Sequence, residues 1–316
     1  MNNHWQRFWR WRQEYVTEIV IVGAGMVLMN LVAFIPKAFR QSHTVNPEAA
    51  GQLGSFIGGY VGSMFALIGV VLLFSTLTSQ RRAFAQQSFE NKYFELIKLH
   101  RANVAEIELQ EESGRKVFVL LLRELRSALG IVREVAKTSR QQLTQLEELH
   151  AAYYALFFGV GPNSSRMLQT SLSKSNFGAA FIDALEKELN KPATDGEKRK
   201  FGYVLFQGHQ SRLGHYYRHL YQMVGYVHQQ QLFDKGRKYE YMKTIRAQLS
   251  THEQALLLIN SLTQIGQNWW KKGDLIVEYR LVQNIPQGFF DTAELDTSKL
   301  FKPGYFEWEE HDGGSK

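Results

Sequence analysis

From Val16 to Ile35 the chain is apolar at nearly every position, with Glu18 as its single charge, and from Leu53 to Leu77 it carries no charge at all. Apolar runs of about 20 residues match the hydrocarbon thickness of a bilayer, and a helix satisfies its backbone polar groups internally. The pattern therefore predicts two membrane-spanning helices, over 16–35 and 53–77, joined by the polar stretch 37–52.

Beyond Thr78 the pattern becomes amphipathic. Phe84, Phe89, Tyr93, Leu96, Leu99 and Ile107 recur at spacings close to a helical period over 79–110, which predicts a long helical stalk leaving the membrane. A second long helical stretch, 116–158, carries Phe118, Leu121, Leu125, Leu129 and Val132 on one seam and is expected to pack antiparallel on the stalk. Gly161-Pro162-Asn163-Ser164-Ser165 interrupts the pattern. Helices are predicted again over 177–189, 197–232, 239–249 and 253–267, the last entered through Ser250 and Glu253 at capping-box spacing. The run 275–282 alternates weakly and reads as a lone strand, and the stretch from Phe301 reads as a loose terminus. The expected fold is an all-α membrane protein with at most a minor strand. Its parts are an interfacial segment 1–14, a transmembrane hairpin 15–78, helical stalk 79–158, cytoplasmic helical domain 159–285 and C-terminal extension 286–316.

Composition adds exclusions. With 44% apolar residues and six prolines the chain is an ordered one. The absence of cysteine removes disulfides, thiolate metal sites and Cys nucleophiles. The net charge of +7 is spread unevenly: Arg7, Arg10 and Arg12 precede the first span and Arg81, Arg82 and Lys92 follow the second, against Lys37 and Arg40 between them. Cations concentrate on the cytoplasmic side, so both termini are expected there. Trp5, Arg7, Trp9, Arg10, Trp11 and Arg12 interleave indole with guanidinium, a composition suited to anchoring in the headgroup layer of the lipid bilayer.

The second span places Gly54, Gly58, Gly62 and Ala66 at four-residue spacing, with Ser55, Gly59 and Ser63 alongside. Small residues at that spacing let helix backbones approach closely, either with the first span of the same chain through Gly23, Ala24, Gly25 and Ala33 or, the favoured expectation, with the same helix of another copy in a homo-oligomer. Gly23-Ala24-Gly25 resembles a dinucleotide-binding turn, but Leu28 stands where the third glycine belongs.

The richest chemistry lies in Gly208–Tyr226. On a helix Arg212, His215, His219, Gln222 and Tyr226 share a polar stripe beside an apolar one of Leu213, Tyr217, Leu220, Val224 and Val227. The first reading is a polar network of His215, His219 and Tyr226 inside a helical domain or at a helix contact. An alternative is a ribonuclease of the HEPN type. Arg212 and His219, with six residues between them, would then hold a phosphate and move a proton, although Leu213 stands where a polar residue usually follows the arginine. A metal reading with His209, His215 and His219 lacks the accompanying glutamate. No Walker loop, HExxH or Gly-x-Ser-x-Gly occurs, so no enzyme activity, metal or cofactor is expected. Lys198-Arg199-Lys200 and Lys271-Lys272 are short basic clusters that signal direct nucleic-acid contact only weakly.

Two spans followed by Asn91-Lys92-Tyr93-Phe94-Glu95-Leu96-Ile97-Lys98-Leu99-His100-Arg101, Gly114-Arg115-Lys116-Val117-Phe118, Leu213-Gly214-His215-Tyr216-Tyr217-Arg218-His219-Leu220-Tyr221 and Ile245-Arg246-Ala247-Gln248-Leu249-Ser250, with Glu253 and Asn260, resemble the phage abortive infection (AbiC-like) family of bacterial membrane proteins. The resemblance extends over about residues 15–285. It implies an anti-phage effector of the inner membrane. Related two-span proteins act as retron effectors, restrained by a reverse transcriptase with its RNA and DNA product. It supplies no catalytic residues. The expectation is a toxin that, once released from its inhibiting complex, disrupts the membrane by association of its transmembrane helices; a non-toxic membrane anchor of a defence complex is the further alternative.

Overall fold

The computed structural model describes residues 47–162, 164–192, 194, 201–271 and 273–312, together with Ile21, Gly23, Ala24, Gly25, Leu28, Met29 and Val32, all seven of them helical. The aromatic-basic segment Trp5–Arg12 and most of the predicted first span lie outside the described residues. The chain divides into two compact units, Met1–Ser88 and Phe89–Lys316.

In the first unit α1 (Pro47–Phe56) leads through a five-residue π-helical turn, Ile57–Val61, into α2 (Gly62–Ala105). Helix 50–105 is long and apolar enough to cross a membrane. Phe56, Leu67, Val70, Leu73 and Phe74 are each more than half exposed, which in water would be an unpaid hydrophobic cost and in lipid is none. The hydroxyls of this stretch turn back onto their own helix, Thr76 to the Leu72 carbonyl at 2.9 Å and Thr78 to that of Phe74 at 2.8 Å. That is how a polar side chain is satisfied where water is absent.

The second unit is built from the end of α2 onward. The buried stripe there is Phe89, Tyr93, Leu96, Ile97, His100 and Val104, while Phe84 and Leu99, both expected inside, are exposed. Spacings of four and three keep residues 89, 93, 96, 100 and 104 on one face, and Leu99 falls a sixth or more of a turn off it. The helix stops at Ala105, not at 110. A small antiparallel hairpin follows, β1 (Glu108–Leu109) paired with β2 (Glu112–Ser113).

The expected single helix over 116–158 is two: α3 (Arg115–Thr138) and α4 (Gln145–Phe158). Thr144 and Glu147 close a full capping box at the start of α4, and Arg140 adopts positive φ in the turn before it. The two helices pack closely on each other, and α3 also meets α6 (Ala179–Leu189) and α9 (Thr251–Leu262) in preference to lying along α2. Between α4 and α6 runs α5 (Ser165–Lys174). In the described part of the predicted helix 197–232, α7 covers Gln210–His228, because Gly202, Phe206 and Gly208 take positive φ and fold residues 202–209 into turns. Next come α8 (Lys235–Arg246) and α9, whose Ser250–Glu253 capping box forms as expected.

Two further expectations are corrected. Residues 275–282 form no strand: α10 (Asn268–Lys271) is followed by a helical turn, α11 (Leu275–Glu278), and by turns beyond it. Leu275, Ile276, Tyr279, Leu281 and Val282 are all buried, so the run lacks the in-and-out alternation of a half-buried strand. The stretch from Phe301 is not loose either. Phe301, Tyr305 and Phe306 are buried, the first two stacked and Phe306 edge-on to both, the Tyr305 hydroxyl donates to the Ile276 carbonyl at 2.8 Å, and α12 (Glu307–Asp312) follows.

Deep in this core sits a carboxylate with no solvent exposure. Glu124 of α3 accepts from the Phe206 amide at 2.8 Å through Oε1 and from the Tyr203 hydroxyl at 2.8 Å through Oε2, which also lies 3.0 Å from His209 Nε2. Removing one member of such a buried set leaves the others desolvated and unpaired. Glu124→Ala should lower unfolding stability by about 3–5 kcal/mol, read as a shift in denaturant midpoint, and Glu124→Gln, which keeps one acceptor, by less.

Candidate functional site

Helix α7 begins where two chain segments cross without room for side chains. A Cβ on Gly159 would lie 2.2 Å from the Gly208 nitrogen and one on Gly208 2.1 Å from the Phe158 carbonyl oxygen, and both glycines have positive φ. Only glycine fits both demands. The crossing lets the His209 amide reach the carbonyls of Leu156 and Phe157 at 3.1 and 3.0 Å, and the Val160 amide that of Phe206 at 2.7 Å.

From that start three faces diverge. Leu213, Tyr217, Leu220, Val224 and Val227 are buried, as the apolar stripe predicted. The polar stripe is dispersed. Arg212 donates from Nε to the Glu108 carbonyl at 2.7 Å, and its Nη1 lies 3.5 Å from His209 Nδ1. His215 is exposed. His219 stacks on His100 of α2 with ring centroids 5.9 Å apart and planes 13° from parallel. Tyr226 stacks on Phe89 at 5.0 Å, its hydroxyl donates to the Phe89 carbonyl at 3.5 Å, and Lys92 lies over its ring. The three residues expected to form one network therefore separate: two meet the Phe89–Ala105 end of α2 at different points, and His215 faces outward. Arg212 and His219, seven positions and about 10 Å apart along the helix, engage different partners and share none.

The His100–His219 pair is unusual for its burial. Neither ring forms a hydrogen bond through either nitrogen. Burial first, then His219 and Arg115, push His100 down to about 4; burial and His215 lower His219 as well. Both are neutral at pH 7. Tyr216 tilts against the His100 ring at 5.3 Å and carries the contact on to a second buried carboxylate, donating to Glu253 Oε1 at 3.1 Å. The other oxygen of Glu253 accepts from the Ser250 amide at 2.8 Å and hydroxyl at 2.6 Å, with Arg115 Nε at 3.6 Å. The Tyr216 hydroxyl is raised by this burial and by the adjacent negative charge. Asn260 donates to the Tyr153 hydroxyl at 2.8 Å.

His100, Glu124 and Tyr203 were not singled out in the sequence as site residues. A glutamate inside Leu121-Leu122-Arg123-Glu124-Leu125 on an apolar seam, and a histidine four residues after Leu96, were the available signals. Among the described residues no group of three His, Asp or Glu is placed to hold a metal ion.

In the first unit, no described atom comes within 4 Å of a Cβ built on Gly54, Gly58 or Gly59; at Gly62 only the Ile57 carbonyl of its own helix does, and Ala66 is exposed. The π turn runs through this stripe. An α-helix overshoots a full turn by about 40° in four residues, so a four-residue stripe drifts round it; the wider π turn rotates each residue by less and offsets that drift.

The chain is thus a helical protein that joins a bare apolar helix to a packed α-helical unit. Residues 208–290, from the glycine crossing through α7, α8, α9 and α11, match the model of the family described as "Putative phage abortive infection protein". This supports the AbiC-like resemblance read from the sequence; the motifs between Asn91 and Phe118 lie outside the matched segment. No curated protein and no solved structure matches the chain.

The histidine pair gives a pH dependence of definite sign. With the folded pKa of His100 below its unfolded value, the unfolded chain binds more protons, so stability is full above pH about 6.5 and falls as pH drops toward 4. The loss should approach about 3 kcal/mol. His100→Leu should flatten this slope, which melting curves of the detergent-solubilised protein at pH 7.5 and 5 will show.

Proposed function

We propose that the chain is an anti-phage defence effector that acts at the bacterial inner membrane by abortive infection, with two spans and both termini in the cytoplasm. The observation that carries this reading is the pairing, in one chain, of a fully exposed apolar helix with a unit that matches the abortive infection family. A helix that no described side chain covers needs lipid or another helix against it. The stripe Gly54, Gly58, Gly62 and Ala66 offers a backbone-to-backbone seat for a second copy. Trp5–Arg12 would hold the inner surface. In resting cells a partner complex, a retron reverse transcriptase with its RNA and DNA, restrains the helical unit; on infection its release lets the spans associate and breach the membrane, a shift between two populated states. No catalytic step is required.

A Cβ added at Gly58 meets no described atom within 4 Å beyond its own helix, so the substitution is unstrained against the described residues. Gly58→Leu and Gly62→Leu should abolish toxicity and membrane depolarisation in cells expressing the chain without a partner, at undiminished membrane content. Depolarisation that persists in both variants refutes association through this face, and cleaved cellular RNA before depolarisation would transfer the activity to Arg212 and His219.

A further inference from the structure

On the side of α7 away from α2, an open cleft of about 450 Å³ lies within the second unit. Its floor is one stripe of the helix, Gln210, Gly214, Tyr217, Arg218 and Tyr221. Phe157 and Phe158 of α4 wall one side, and Asn260 of α9 with the segment Ile265–Trp269 wall the other. We propose that this cleft binds a nucleotide, its base between the aromatic walls and its phosphate on Arg218.

Three observations converge on that ligand. Among the described residues the lining holds aromatic rings and carboxamides with a single cation and no carboxylate. Tyr221 meets Trp269 edge to face at 5.0 Å, so a flat ring system entering beside them finds both a face and an edge. Gln210 and Asn268, both exposed at the mouth, carry the paired donor and acceptor that read the edge of a base. Arg218 is the second observation. It is exposed, its Nε donates to the Gly214 carbonyl at 2.9 Å, and it has no carboxylate partner among the described residues, whereas Arg126, Arg133 and Arg237 each have one. An unpaired guanidinium at the rim of an acid-free cleft suits a phosphate, which its remaining nitrogens can meet in pairs.

Gly214 is the third. Glycine inside a helix costs about 1 kcal/mol relative to alanine. Here a Cβ would find only Phe157 Cζ at 3.8 Å, an ordinary contact, and the residue has no positive φ. Packing does not call for glycine at this position; what its missing side chain provides is depth in the cleft.

The site is independent of the membrane reading and is tested by binding alone. The full chain in lipid nanodiscs is titrated calorimetrically with AMP, GMP, CMP and UMP, with ribose 5-phosphate, and with a 5′-phosphorylated tetradeoxynucleotide. Saturable binding of a nucleotide is expected, weakened about tenfold or more by the surface change Arg218→Glu and abolished by the cleft-filling Gly214→Leu. Uptake of the mononucleotides identifies a free nucleotide as the ligand, and uptake of the tetranucleotide alone identifies a strand end. Absence of saturable binding to every probe overturns the proposal. So does binding that Arg218→Glu leaves unchanged, or ribose 5-phosphate binding as tight as that of the nucleotides.

Discussion

A carboxylate taken wholly out of water has to be surrounded by donors, and two such carboxylates among the described residues meet one helix about two turns apart. Glu124 of α3 draws Tyr203, Phe206 and His209 to itself, and Glu253 of α9 holds Tyr216 and Arg115. Burying an ionised carboxylate without partners costs several kcal/mol, so the placement of every donor is enforced far more sharply than apolar contact would enforce it. Because His209 precedes α7 and Tyr216 lies two turns along it, the two carboxylates fix both where the helix starts and how it is rotated. Everything else reported of α7, from the stack on His100 to the stripe flooring the cleft, follows from that rotation.

The glycine crossing makes the first of these anchors attainable. His209 reaches Glu124 only because Gly159 and Gly208 let the end of α4 and the start of α7 touch through their backbones. Substitution at either glycine would therefore act twice, through strain at positive φ and through the lost approach of His209.

How far the sequence reveals this depends on the range of the interaction. Period and caps are local, so α6, α8, α9 and the apolar stripe of α7 could be read from residue spacing, and so could the capping box at Ser250. Thr144-Gln145-Leu146-Glu147 carried the same signal for the break between α3 and α4, but the continuous seam around it outweighed four residues. The terminal aromatics looked like a tail because they follow no helical or strand period; part of what holds them, such as the Ile276 carbonyl, is about 30 residues away. The partners of Glu124 lie about 80 residues downstream, beyond any periodic pattern. On the α7 polar stripe, spacing correctly grouped the residues by face, yet it could not say that His219 and Tyr226 would meet α2 through separate ring stacks. The apolar run from Leu53 was legible for the opposite reason, since a helix apolar on every side declares itself in composition and needs no tertiary partner to be read.

The position of α7 also bears on how a ligand could act at a distance. The cleft and the His100–His219 stack lie on different faces of one helix, whose own diameter is about 10 Å. A ligand in the cleft changes the stack only if it binds one placement of the helix better than another, since equal affinity for both shifts nothing. Sliding or rotating α7 by itself would break the bonds of His209 and Tyr216 to their carboxylates, which makes such a motion expensive. Moving α7 together with α3, α9 and the turn from Tyr203 to Gly208 keeps those bonds and shifts the change to the remaining contacts of α7, the ring stacks against α2 among them. Those stacks, His219 on His100 and Tyr226 on Phe89, contain neutral rings and at most one long hydrogen bond, so of all the contacts α7 makes they are the ones that yield at least cost.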